Sequence, residues 1–170
     1  TSKSERSMLV QCFLKSWQNK HLIIAKTHIV KLTKHFVDPS IATAILDANP
    51  NDLMRDLKTF GLLFENLVVR DLKIYTESLE GNVYHYRDKS GLEADAVIHL
   101  HDGRWGLIEI KVGGQTLIDE GAATLKALKA KINQDKMNEP AFLAIITATD
   151  PFAYQREDGI CVIPIGCLKP

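Results

Sequence analysis

The sequence predicts an α/β (α+β) domain with a mixed central sheet flanked by helices, and three observations predict it. Residues 52–79 carry an apolar stripe at three- and four-residue steps, and residues 82–112 hold three alternating segments in close succession. A second helical stretch then leads into 141–148, a nearly continuous apolar run of the kind that forms a strand buried on both faces. Helix, three-strand meander, helix, strand, strand is the order of a mixed sheet with helical cover.

Size and composition agree with that class. The chain has 170 residues, 45% of them hydrophobic and 25% charged, the balance of an ordinary soluble domain. Its apolar runs are broken by charge within ten residues, which argues against a membrane span. Thr1 to Arg6 leads into no signal-peptide pattern and the first residue is not Met, so the chain reads as a fragment or a processed product. Lys and Arg number 21, and so do Asp and Glu, but the charges are unevenly spread. Residues 1–37 hold seven basic residues against one acidic, with His21, His28 and His35 among them. They read as a basic N-terminal arm or linker remnant, and 38–170 as the folded domain. Cys12, Cys161 and Cys167 are odd in number and form no C-x-x-C pair, which points to reduced thiols in a cytoplasmic setting.

Within the arm, Ser7–Trp17 is a short amphipathic helix by pattern, and Leu22–Ala25 and Ile29–Leu32 are strand-like. Asp38-Pro39-Ser40 has a capping acid and a proline at the first helical position, so a short helix is expected over Ser40–Leu46. The longest helix is expected from Asp52 to Leu79, with Leu57, Phe60, Phe64, Leu67, Val68, Leu72, Tyr75 and Leu79 as its stripe, stopped by Gly81-Asn82. Strands are expected at Asn82–Arg87, Leu92–Leu100 and Trp105–Val112. Gly113-Gly114 opens a helix from Leu117 to Lys136, Ala141–Ala148 is the buried strand, and Gly159–Ile165 is the last one.

The chemistry concentrates on the meander. No G-x-x-x-x-G-K-[ST] or G-x-G-x-x-G is present to cradle a nucleotide phosphate, and no serine elbow is present either. Asp95 on one strand is followed on the next by Glu109-Ile110-Lys111, whose first and third side chains project from one face. Carboxylates able to hold Mg²⁺, beside a lysine able to orient water and offset phosphate charge, suit metal-assisted phosphodiester hydrolysis.

Strand register decides whether they meet. A two-residue turn at Asp102-Gly103 would set Asp95 opposite Ile110. A three-residue turn, with Gly103 left-handed as a bulge, pairs residues whose numbers sum to 204. Asp95 then opposes Glu109, and Glu93 opposes Lys111. Only this register gathers Ala94, Ala96, Ile98, Ile108 and Ile110 on one dry face, so it is the one expected. Glu65 is a third candidate acid. It flanks the helical stripe and has no cation three or four residues away. His99 and His101, near a hairpin tip, read as solvent-exposed and not as ligands. Trp105 should pack on His99, Tyr84 and Tyr86 should fill sheet faces, and Gln115 is a minor candidate for a substrate contact.

Several segments together carry a family resemblance: Lys34-His-Phe-Val-Asp-Pro-Ser40, Phe60-Gly-Leu-Leu-Phe-Glu65, Val83-Tyr-His-Tyr-Arg-Asp88, Gly91-Leu-Glu-Ala-Asp95, Gly106-Leu-Ile-Glu-Ile-Lys-Val112 and Val162-Ile-Pro-Ile-Gly166. Over residues 34–170 the chain resembles a domain-of-unknown-function family found at the C-terminal end of predicted AAA-type ATPases of bacteria and archaea. The resemblance implies a PD-(D/E)XK nuclease-like fold. Its helix acid would be Glu65, its first strand acid Asp95, and its E-x-K pair Glu109 and Lys111, with Asp95 and Glu109 on a Mg²⁺ ion. The ATPase half of such a chain is missing here, and residues 1–33 match poorly.

Two functions follow as expectations. One is a Mg²⁺-dependent nuclease module acting on DNA. The other is a non-catalytic regulatory, docking or oligomerisation module of the ATPase, favoured by a net charge of zero where phosphate binding usually leaves a basic footprint.

Overall fold

Asp38 starts the first helix by accepting a 2.8 Å hydrogen bond from the Ser40 N–H, with Pro39 next in the chain. The computed structural model describes residues 38–132 and 138–168. The expected helix at Ser7–Trp17, the two expected strands of the arm and Cys12 lie outside the described residues.

Helix α1 is Pro39–Ile45, α2 is Pro50–Arg55 and α3 is Leu57–Glu77. The single helix expected from Asp52 is therefore two. Asn49 and Asp52 close a reciprocal capping box on α2, and Asp56 ends that helix while accepting from the Thr59 N–H to start α3. A capping acid inside an apolar periodicity breaks the helix without breaking the stripe. Phe64, Val68 and Leu72 are buried along it, but Leu57 and Leu79 at its expected ends are exposed.

Strands β1 Gly81–Arg87, β2 Glu93–Leu100 and β3 Trp105–Lys111 form the antiparallel meander. Helix α4, Gln115–Ala130, carries the chain back to β4, Phe142–Thr147, which lies parallel to β3. The helix starts two residues earlier than expected and ends near Lys131, short of Lys136. Strand β5, Tyr154–Gln155, pairs antiparallel with β6, Cys161–Pro164, and β6 lies parallel to β4. The sheet order is β1-β2-β3-β4-β6-β5. Two residues are too few to show a period, which is why β5 escaped the sequence. A 3₁₀ turn at Ile165–Cys167 ends what was expected as strand.

The sheet separates two cores. On the α3 side Phe64, Val68, Val69 and Leu72 pack with Ala96, Ile98, Ile108, Ile110, Ala144 and Ile146. On the α4 side Ile118, Ala122, Leu125 and Leu128 pack with Val97, Leu107, Ile145 and Val162. Fully burying one such aliphatic side chain contributes about 1.5–3 kcal/mol, so the central strands hold much of the fold. Among the described residues, no helix is long and apolar enough to cross a membrane.

The expected turn forms. Gly103 has φ 86° and its N–H donates to the Leu100 carbonyl at 3.0 Å, and β2 and β3 pair as Ala96–Ile108, Val97–Leu107, Ile98–Gly106 and His99–Trp105. All four pairs sum to 204. Below Ala96 the expectation needs two corrections. Against β1, the pairing steps from Tyr84–Val97 to Tyr86–Ala94, so two residues of β2, Asp95 and Ala96, stand opposite His85 alone. This is a β-bulge in β2, and it inverts the inward–outward alternation beyond it. Ala94 therefore belongs to the α4-side core and not to the face of Ala96 and Ile98. Glu93 pairs with Arg87 of β1, at 3.3 Å between charges, and the β2–β3 ladder stops at Ala96–Ile108, so neither the expected Asp95–Glu109 pair nor the expected Glu93–Lys111 pair forms; on its other edge Lys111 stands beside Thr147 of β4.

Candidate functional site

The four candidate residues come from three elements that meet where β2 and β3 part. Past Ala96–Ile108 the two strands no longer pair residue by residue, and the Asp95 carboxylate accepts from the Ile110 N–H at 2.7 Å. A side-chain oxygen thus satisfies a donor that the ladder would have used, and it pins Asp95 at the fork. Glu109 lies between Ile108 and Ile110, which face α3, so its own side chain faces α4. There α4 passes over it at Gly121. A Cβ on Gly121 would sit 3.5 Å from Glu109 Cβ, Lys111 Cε and Ile145 Cδ1.

Lys111 joins the two acids. Its Nζ lies 2.8 Å from Glu109 Oε2 and 3.9 Å from Asp95 Oδ2. The Glu109 side chain is only 3% exposed, against 14% for Asp95 and 26% for Lys111, so the centre opens to solvent on the Lys111 side. Helix α3 runs past this end of the sheet, with Gly61 near Val112, and presents Glu65 one turn on. The fields of Asp95, Glu93 and Lys111 all act on Glu65. The structure thus gathers Glu65, Asp95, Glu109 and Lys111 in one electrostatic neighbourhood.

One ammonium among three acids leaves a surplus of negative charge in a dry place. Burial first, then the Asp95 and Glu93 charges, push Glu65 up to about 7, with Lys111 opposing. Burial and the Asp95 charge likewise push Glu109 up to about 7 against the pull of Lys111. Burial raises Asp95 too, although Lys111, the Ile110 N–H and His85 draw it down. For Lys111, burial works against the charge, but Glu109, Asp95 and Glu65 outweigh it and raise the ammonium. The centre therefore retains protons on carboxyl groups at neutral pH.

The sequence reading missed two contributors, His85 and Thr147, and set a third, Glu93, against Lys111. His85 stands opposite the bulge and its charge acts on Asp95, and its Nδ1 is buried without a partner among the described residues. Continuing the Arg87–Glu93 pairing across the turn at 88–92 places His85 against Asp95, and this was the available signal. Glu93 adds negative charge from β2. Thr147, wholly buried next to Lys111 on β4, has an unpartnered hydroxyl.

The remaining candidates fall outside the centre. His101 is exposed with Nδ1 2.6 Å from the Glu80 carbonyl oxygen. His99 is half-buried, not exposed as expected, because it is paired with buried Trp105, and burial pushes its pKa down. Tyr86 packs against the α4-side core, but Tyr84 is exposed. Gln115 donates to Asp119 one turn along α4, at 3.0 Å.

As metal donors, Asp95 and Glu109 supply the hard oxygens that Mg²⁺ or Mn²⁺ takes, and one or two carboxylates are enough for Mg²⁺ when water and substrate complete the shell. Glu109 Oε1 is buried without a hydrogen-bond partner among the described residues, so its lone pairs are open to a water or a metal ion. Among the described residues, no three Asp, Glu, His or Cys side chains converge as a ready metal cage.

Fold and centre together define an α/β domain with a buried acid–lysine cluster at a fork in its sheet. The chain belongs to the family described as Domain of unknown function (DUF4143), whose model matches residues 60–168. That span includes all four candidate residues. No curated protein and no solved structure matches the chain.

Proposed function

We propose that this domain is a metal-dependent phosphodiesterase of PD-(D/E)XK type that acts on DNA as the C-terminal part of a cytoplasmic AAA-type ATPase. The observation that carries the reading is the Lys111 ammonium beside the Glu109 and Asp95 carboxylates where β2 and β3 part, with Glu65 of α3 within range of the Asp95 and Lys111 charges. Asp95 and Glu109 would hold Mg²⁺ or Mn²⁺, which would supply Lewis-acid polarisation of a phosphoryl oxygen when bound. Lys111 places a positive charge at the open side of the centre, where it can orient water and a phosphate oxygen. Glu65, kept partly protonated near neutral pH, can hold or accept a proton at its carboxyl. Asp95 keeps the fork open through its bond to the Ile110 N–H.

The test is cleavage of plasmid and single-stranded DNA with Mg²⁺ or Mn²⁺. Wild type should cut, while Asp95→Asn and Lys111→Ala should each lose 100-fold or more in rate, a size typical of losing a group that stabilises transition-state charge (~10²–10³). Equal cutting by wild type and both variants would end this reading.

A second reading has its own support. Lys111 already sits on both carboxylates, as a closed, purely structural ion cluster would have it. In that case the domain is a non-catalytic regulatory or docking module of the ATPase. Removing residues 38–170 from the parent would then change its oligomeric state or ATP turnover, and no change in either would count against docking.

A further inference from the structure

The sheet face under α4 holds two buried oxygens that have no partner among the described residues, Glu109 Oε1 and Thr147 Oγ1. Their places are fixed by register. Glu109 pairs with Ile145 and Lys111 with Thr147 across the parallel β3–β4 ladder. Ile145 belongs to the α4-side core and Ile146 to the other, so Thr147 points to the same side as Ile145, Glu109 and Lys111. Thr147 is therefore the direct neighbour of Lys111 and the diagonal neighbour of Glu109.

Diagonal neighbours on one sheet face lie about 7–8 Å apart at Cα. No direct bond joins the two oxygens, and each is left without a partner on the same face of neighbouring strands. Leaving a buried hydroxyl unpaired is unfavourable, and valine would fill the same space without that cost. Buried water typically makes about three hydrogen bonds to such groups.

We propose that Thr147 Oγ1 and Glu109 Oε1 hold one buried water beside Lys111, and that Thr147 is a positioning residue acting through Glu109. With Oε1 held by this water, Oε2 stays turned to the Lys111 ammonium and the acid–lysine geometry is fixed before substrate arrives. The consequence for catalysis rests on the phosphodiesterase reading; the water site does not.

The experiment pairs Thr147→Val and Thr147→Ser with a high-resolution crystal structure of the wild-type domain. Expected in the crystal is a water within hydrogen-bond distance of both oxygens. Thr147→Val, which keeps the shape of the side chain but takes one hydrogen bond from the water, should melt close to wild type, yet lose about tenfold or more in Mn²⁺-dependent kcat with KM for DNA little changed. Thr147→Ser, which keeps the hydroxyl, should stay within a few-fold of wild type. A dry site in the crystal overturns the proposal, and so does Thr147→Val cutting as fast as wild type. A lower melting temperature in both variants with equal loss of activity assigns Thr147 to packing alone and also overturns it. If wild type cuts nothing while the water is present, the phosphodiesterase reading fails and the water site stands.

Discussion

Glu109 sits between two isoleucines in the most buried part of the sheet, so its charge has to be settled by its immediate neighbours. Lys111 cannot offset Glu109, Asp95 and Glu65 together, and Glu65 and Glu109 are both held up to about 7. The direction of the pH effect follows. In the unfolded chain these glutamates lose their protons near 4.5, while the folded protein keeps them until about 7. Their contribution to stability is therefore fully present below about 4.5 and is lost as pH rises through about 7. Metal-free protein should melt progressively lower from pH 5.5 to 8, and Glu109→Gln should flatten that fall. His99, held neutral by burial, titrates the opposite way in both proteins and cancels in the comparison. Parallel melting curves for wild type and Glu109→Gln, recorded in chelator across this range, would show that Glu109 is not proton-linked. Glu109 and Lys111 were legible in the sequence because their two-residue spacing puts both on one strand face; Asp95 joins them at the fork, where the expected pairing with Glu109 gives way to its bond with the Ile110 N–H. Thr147 was not legible, since an isolated threonine at the end of an apolar strand gives no sign of an unpaired hydroxyl.

At the scale of elements, two glycines set how closely layers approach, and they should respond oppositely to alanine. Gly81 opens β1 where the chain passes against β2, and an added Cβ would meet Leu100 Cδ2 at 2.5 Å and the His99 carbonyl oxygen at 2.9 Å. The backbone cannot yield there, so Gly81→Ala should cost about 1–3 kcal/mol, in line with overpacking elsewhere. Gly121 in α4 has ordinary contact distance to Glu109, Lys111 and Ile145. Gly121→Ala should be neutral or stabilising by up to about 1 kcal/mol, the helix-propensity difference between the two residues. Urea denaturation of both variants decides the matter, and a loss at Gly121 as large as at Gly81 would mean that α4 lies closer to the centre than described. Meander, crossover helix and buried parallel strand were all legible, because each has a distinct period. The β2 bulge was not, because it depends on how β1 and β2 share a turn, and no single strand's pattern encodes that.

For the whole molecule, binding at the centre is linked to folding. A divalent ion that binds only the folded domain stabilises it by RT ln(1 + [L]/Kd), roughly 1.4 kcal/mol at ten times Kd. For a domain of this size that is a rise of a few degrees in Tm. Millimolar Mn²⁺ at pH 8 should produce such a rise in wild type, a smaller one at pH 6 where the centre keeps its protons, and none in Asp95→Asn. Lys111→Ala should keep the rise, because the ammonium competes with the metal for the same oxygens. An unmoved melt in wild type would leave the cluster as an ion pair that the fold retains for its own sake and would turn attention to docking.

The bulge opposite His85 has a consequence for how the two layers of the domain are joined. A sheet ordinarily separates: side chains above it and below it point apart and do not touch. Where β2 turns aside, the partition has a gap, and Glu65 from the α3 layer and Glu109 from the α4 side answer to the same Asp95 and Lys111 charges. The fork thus gives two otherwise separate halves of the molecule a common electrical terminal.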